Sequence, residues 1–287
     1  MKTNKLFYLF ISLSTTLFLS CNKEEDFLPI NESSKIVENI QNIKYGVDPQ
    51  QSFDLYLPAN RSATTKTLLL IHGGGWISGD KIEMNSYVSM LKEKLPDYAI
   101  ANMNYRLASG DNYAFPMQIE DINSVIAILK ATNEYVISDN FALIGVSAGG
   151  QLALLYSYSN NPNNDVKMVC SIIGPTNFTD INYANNKEMV DLFTSITGVN
   201  YQENKPFYDM LSPLNWASET SPPTILFYGN QDPIVPTTQG IGLRNRLNEL
   251  SVYNKFNLYN GGHGDWSTSD LTDVNKKLVN FIKQKFN

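Results

Sequence analysis

Residues 141–156 read FALIGVSAGGQLALLY. The opening run, Phe141 to Leu143 with Ile144, is apolar throughout, as a strand covered on both faces would be. It passes without a break into Gly145-Val146-Ser147-Ala148-Gly149 and then into a helical pattern. G-x-S-x-G between a strand and a helix is an elbow that turns the chain sharply and leaves the serine at its apex. Glycines two residues either side of Ser147 let the backbone double back without side-chain collision. The helix that begins there points free N–H groups and the positive end of its dipole at whatever Ser147 meets. A chance Gly/Ser turn is the plain alternative in a chain with 17 glycines. The strand before and the helix after argue for the elbow, with Ser147 as a nucleophile.

Working outward, strands and helices alternate. Residues 36–57 read as two antiparallel strands around a turn at 45–49, and Thr67–Ile71 is a second continuous apolar run. A helix over 84–95, a strand over 98–105 and a helix opened by Pro116, with Ile119, Ile122, Ile126 and Leu129 on one face, lead to the elbow. After it come a strand over 166–173, which carries a buried, inert Cys170, and a strand over 224–228. A helix over 238–250, a strand over 253–259 and a final helix lined by Leu271, Val274, Leu278 and Ile282 finish the chain. This alternation predicts an α/β fold with a mostly parallel central sheet covered by helices on both faces. Regularity fails over 175–220, where a helix over 187–196 is the only clear element, and the segment reads as a small lid insertion folded over the site. A net charge of −6 with no basic stripe argues against nucleic acid as a partner.

A serine hydroxyl needs a base within hydrogen-bond reach. The chain has two histidines, His72 and His263. His263 follows the last strand, at the carboxyl edge where sites in such sheets form, and is the expected base; His72 opens a glycine loop and reads as its anchor. Asp232, one loop past a strand, is the expected acid that orients the imidazole, ahead of Asp265, which lies too close to His263 in sequence to reach the far ring nitrogen. Gly73, Gly74 and the N–H of Ala148 are expected to form an oxyanion hole, with Gly75 able to replace one of them. A phosphate loop is the rival reading of these glycines, but no Lys-Ser/Thr follows them. Nothing in this chemistry calls for a cofactor or a metal.

Several stretches together carry a family resemblance: HGGGW at 72–76, GDK at 79–81, NYRL at 104–107, GVSAGGQLALL at 145–155, YGNQDPIVP at 228–236 and GGHG at 261–264. In this order they resemble α/β-hydrolases of the carboxylesterase type, close to a feruloyl/acetyl esterase-like group and related to the hormone-sensitive lipase group. The chain departs from that pattern at Val146, where these families often carry Asp or Glu. The resemblance implies the chain order Ser, Asp, His for the triad and a serine esterase acting through an acyl-enzyme on short acyl or aryl-acyl esters, such as acetyl or feruloyl groups on polysaccharide. Trp76, Phe207, Tyr208 and Trp216 are read as lining the pocket, since aromatic rings stack on sugars. A lipase, an amidase or peptidase of the same fold, and a non-catalytic binding module are the alternatives.

The N-terminus reads as a targeting segment: Lys2 and Lys5, then a mostly apolar run over 6–19, then Leu19-Ser20-Cys21. Its end resembles the lipobox of bacterial lipoproteins, although Phe18 stands where that motif usually has Leu. This implies a signal peptide over 1–20, lipidation of Cys21, a polar tether over 21–34 and a hydrolase domain over 35–287. The implied location is the outer membrane, with the lipid as the only membrane contact. Loss of Lys2 and Lys5 on cleavage takes the charge from −6 to −8.

Overall fold

A computed structural model describes residues 36–287, so Cys21 and the tether lie outside the described residues. Eight strands form one sheet: β1 (Glu38–Lys44), β2 (Ser52–Leu57), β3 (Thr67–Ile71), β4 (Ala99–Met103), β5 (Phe141–Val146), β6 (Val166–Ile172), β7 (Thr224–Gly229) and β8 (Asn254–Tyr259). Their spatial order is β1-β2-β4-β3-β5-β6-β7-β8. β2 runs antiparallel to both neighbours, and every pair from β4 to β8 is parallel.

Alternation along the central strands sends side chains to two separate cores. In β3, Leu69 and Ile71 join one face while Leu68 and Leu70 join the other; in β5, Phe141 and Leu143 oppose Ala142 and Ile144. That is why these strands read as unbroken apolar runs: both faces are covered. One face is closed by α1 (Asn85–Lys94) and α9 (Thr268–Lys285) through Val88, Leu91, Val274, Leu278 and Ile282. The other is closed by α2 (Met117–Ala131), α3 (Ala148–Ser159) and α8 (Thr237–Glu249) through Ile122, Leu152 and Leu243. Leu271 departs from the expected core stripe of α9: it is 40% exposed.

The segment 175–220 is more regular than its sequence suggests. It holds α4 (Ile181–Ala184), α5 (Lys187–Thr197), α6 (Lys205–Met210) and α7 (Pro213–Trp216). Asp180, Asn186 and Asn204 cap three of these through side-chain oxygens that accept N–H groups of the first turn, and Gly198 ends α5 with φ 68°. Helices of four to six residues show no period to read, so their caps were the only available signal. The segment buries Phe178, Tyr183, Phe193, Tyr201 and Tyr208 in the same core as Trp76 and the α3 side chains.

Candidate active site

β5 delivers the elbow between β3 and β6, with Gly145 level with Ile71 and Val146 level with Ile172. Ser147 sits at φ 51°, ψ −119°, and its N–H donates to Ile172 O at 2.8 Å. A non-glycine residue held there stores on the order of 1–3 kcal/mol, which the surrounding strands and helix must supply. The neighbouring glycine is fixed by contact: a Cβ on Gly149 would lie 2.2 Å from His72 O and 2.3 Å from Ile71 O. The start of α3 therefore packs directly on the end of β3, and the Ser147 hydroxyl projects beyond the carboxyl edge of the sheet.

Two loops from the same edge meet it. Ser147 Oγ lies 2.9 Å from His263 Nε2, and His263 Nδ1 lies 2.7 Å from Asp232 Oδ2. The other Asp232 oxygen accepts the N–H groups of Ile234 and Val235, each at 2.8 Å, and the side chain is fully buried. With Nδ1–H donating to this carboxylate, Nε2 is left to accept the serine proton. Asp265 does something else: it accepts the Gly262 N–H at 2.6 Å and so shapes the loop that carries His263.

The glycine loop completes the arrangement. Gly73, Gly74 and Gly75 line the same cleft as Ser147. The N–H groups of Gly73, Gly74 and Ala148 donate to no acceptor among the described residues. Gly74 has φ 111°, and a Cβ there would lie 2.0 Å from Ser78 O. His72 is fully buried, stacks on Tyr105 at 4.2 Å between ring centroids and shares its Nδ1–H with Gly73 O at 2.6 Å. Burial holds its pKa below the usual histidine value. The remaining motifs brace this loop: Asn104 binds Lys81 N–H and Asp80, Lys81 pairs with buried Asp54, and Gln118 donates to the carbonyls of Trp76 and Arg106.

The expected substrate contacts are corrected by their positions. Trp76 is 2% exposed, donates its indole N–H to Gln151 Oε1 at 3.0 Å and packs on Phe115, Phe178 and Phe193. Tyr208 is buried, with its hydroxyl bound to Thr197 and Val199. Trp216 donates to Met210 O and lines a separate hollow with Asp209 and Asn215. The first two are taken up by the core because their polar tips find partners there. The insertion likewise supplies no residue to the cleft around Ser147. That cleft, about 480 Å³, is walled by Glu83, Met84, Tyr87, Ile173, Ile234, Trp266 and Leu271. Sequence reading missed the apolar ones among these because an apolar residue on a helix or strand end looks the same whether it faces a core or a cavity.

The sheet order, the elbow and the groups gathered at its carboxyl edge define an α/β-hydrolase. Residues 53–247 match the BD-FAE family model, and the chain belongs to that family. Esterase LipC of Mycobacterium tuberculosis is 25% identical over 241 residues, 77% of this chain and 59% of that protein. Probable carboxylic ester hydrolase LipM of the same organism is 27% identical over 204 residues, 66% and 46% respectively. The chain thus spans about half the length of the curated relatives it matches. Among solved structures, a truncated carbohydrate esterase from gut microbiota superposes with TM-score 0.72 at 19% identity, over 89% of this chain and 99% of that one. A bifunctional GH43-CE protein of Bacteroides eggerthii gives 0.75 at 23% identity, over 87% and 38%. These two structures share the fold.

Proposed function

We propose that the protein is a serine carboxylesterase working through an acyl-enzyme. The observation that carries this reading is the chain of contacts Ser147 Oγ, His263, Asp232, at 2.9 and 2.7 Å, beside unpaired N–H groups. Ser147 Oγ attacks the ester carbonyl carbon while His263 Nε2 takes the hydroxyl proton. The carbonyl oxygen gathers negative charge and is met by the N–H groups of Gly73, Gly74 and Ala148, a contribution of about 3–4 kcal/mol per donor in comparable sites. Collapse breaks the bond to the alcohol, which leaves with the proton from His263. Water, deprotonated by the same nitrogen, then attacks the acyl-serine and releases the acid. Asp232 keeps the imidazole in the working tautomer and balances its charge while it holds the proton.

Short acyl or aryl-acyl esters, including those of acylated polysaccharide, are the substrates we favour. The support is the modest apolar cleft and the names of the relatives, an esterase and a carbohydrate esterase. We further propose that Cys21 carries a lipid that holds the protein at the bacterial outer membrane; the support is the sequence ending at Leu19-Ser20-Cys21. A p-nitrophenyl acyl-chain series on purified protein tests the activity. Turnover should favour short chains and fall by at least about 10³-fold in Ser147→Ala. No turnover at any length, or an unaltered Ser147→Ala enzyme, would refute the esterase. Acetylated xylan against methyl ferulate then separates the two substrate groups.

A further inference from the structure

Three successive residues of the glycine loop hold positive φ: Gly74 at 111°, Gly75 at 58° and Trp76 at 65°. Glycine adopts these angles freely, but a tryptophan does so only where its surroundings impose it. Three carbonyls of the loop are engaged. Gly73 O accepts from the Tyr105 hydroxyl at 3.2 Å, and Gly74 O accepts from the N–H groups of Ile77 and Ser78 at 3.2 and 3.0 Å. Trp76 O accepts from Ala108 N–H at 2.9 Å and from Gln118 Nε2 at 2.8 Å. The far end of Trp76 is tied as well, through its indole N–H to Gln151 Oε1 at 3.0 Å. Gln151 is fully buried, its backbone N–H donates to Ser147 O at 3.1 Å, and its Nε2 donates to Leu211 O of the 175–220 insertion at 2.9 Å. Both ends of the amide are therefore used, and turning it over would set donor against donor and acceptor against acceptor.

We propose that Gln151 and Trp76 are positioning residues for the oxyanion hole, and that the insertion acts on the chemistry through them from outside the cleft. This rests on the esterase reading above. Oxyanion donors stabilise a developing charge only if they are already aimed at it. Here they come from two elements: Gly73 and Gly74 from the glycine loop, Ala148 from the start of α3. The bond from Trp76 to Gln151 is the one side-chain hydrogen bond between that loop and α3 among the described residues. It joins a residue two past Gly74 to a residue three past Ala148, and Leu211 O fixes the amide that makes the joint. If Trp76 served only to pack on Phe115, Phe178 and Phe193, its indole N–H would matter to stability and not to turnover.

The test measures kcat and KM for p-nitrophenyl acetate, and the inhibition constant of a small alkyl boronic acid, in the native protein, Trp76→Phe, Gln151→Met and the double variant. Trp76→Phe keeps an aromatic ring and removes the indole N–H. Each single variant should lose about tenfold in kcat with KM within about twofold of native, the mark of an interaction realised in the transition state. Boronate binding should weaken by the same factor, because the bound boronate places an oxygen where the oxyanion forms. The double variant should fall no further than the worse single one, as two halves of one link do. The acid limb of the pH profile, set by His263, should stay in place. Unchanged kcat and boronate binding in Trp76→Phe, whatever its melting temperature, overturn the proposal and leave the esterase standing. Losses that multiply in the double variant overturn it too, since the residues then act separately. Should Gln151→Met fail to fold, the result for Trp76→Phe decides alone. A native protein without Ser147-dependent turnover removes both readings together.

Discussion

Ser147 holds a backbone conformation that serine adopts only when its surroundings dictate it, and those surroundings are named: the bond from its N–H to Ile172 O and the contact of Gly149 with the end of β3. Asp232 is held as firmly, by two backbone N–H groups on one oxygen. In Asp232→Asn the amide oxygen can still accept those bonds, so the loop should keep its shape. The amide NH₂ would face His263 Nδ1 and turn the imidazole to the wrong tautomer. We expect kcat to fall about 10⁴-fold with an unchanged melting profile; a fall of less than tenfold would remove Asp232 from the mechanism. His72 bears on stability. Because burial holds its imidazole below the ordinary value near 6.5, the unfolded chain binds a proton between the two values that the folded chain refuses. The stability contributed by neutral His72 is therefore complete at neutral pH and lost as the pH falls through about 6.5. In urea titrations the gap between the native protein and His72→Gln should narrow from about pH 7.5 to about pH 5; a gap that stays constant would contradict this.

At the scale of elements, the helices of 175–220 serve the core. Phe193 is fully buried and meets the rings of Trp76, Phe178, Tyr183, Tyr201 and Tyr208. Phe193→Ala should destabilise the fold by about 3–5 kcal/mol in chemical denaturation, the range for a large aromatic removed from a packed interior. A loss under about 1 kcal/mol would mean that the cluster is loosely packed. Trp216, exposed at the end of α7 and tied to Met210 O, sits at a separate hollow, so Trp216→Ala should leave KM where it is. A several-fold rise in KM would return Trp216 to the substrate contacts. The elements that do wall the cleft are α1, the end of β6 and the approach to α9, all fixed by the second core beneath them.

On the scale of the molecule, the register of the sheet fixes where the chain joins the domain relative to the site. Glu38 pairs with Leu57, and Tyr56 pairs with Ile100, which is level with Leu68 near the start of β3. Ile36, whose carbonyl accepts from Arg61, is therefore at the amino edge of the parallel strands, and Ser147 is at the carboxyl edge. The lipid proposed on Cys21 would contribute about 0.8 kcal/mol per buried methylene to membrane binding. Cys21→Ala should move the protein from the membrane to the soluble fraction, and unchanged fractionation would disprove the anchor.

The elbow, the glycine loop, the alternating strands and the pairing of His263 with Asp232 over Asp265 were all legible from the sequence, because each rests on local chemistry: where glycine is required, where an apolar run must be covered on both sides, which ring nitrogen a nearby residue can reach. The sequence also nominated Ser147, which lies 116 residues from His263, as its partner, and the fold brings them to 2.9 Å. What only the tertiary structure decided is which apolar and aromatic side chains face the cavity and which are consumed by the core. Trp76 and Tyr208 went inward, while Glu83, Tyr87, Trp266 and Leu271 came to the cleft. Burial on one face or the other leaves no mark on a side chain's chemistry; it is settled by how two separate cores close over the two sides of one sheet.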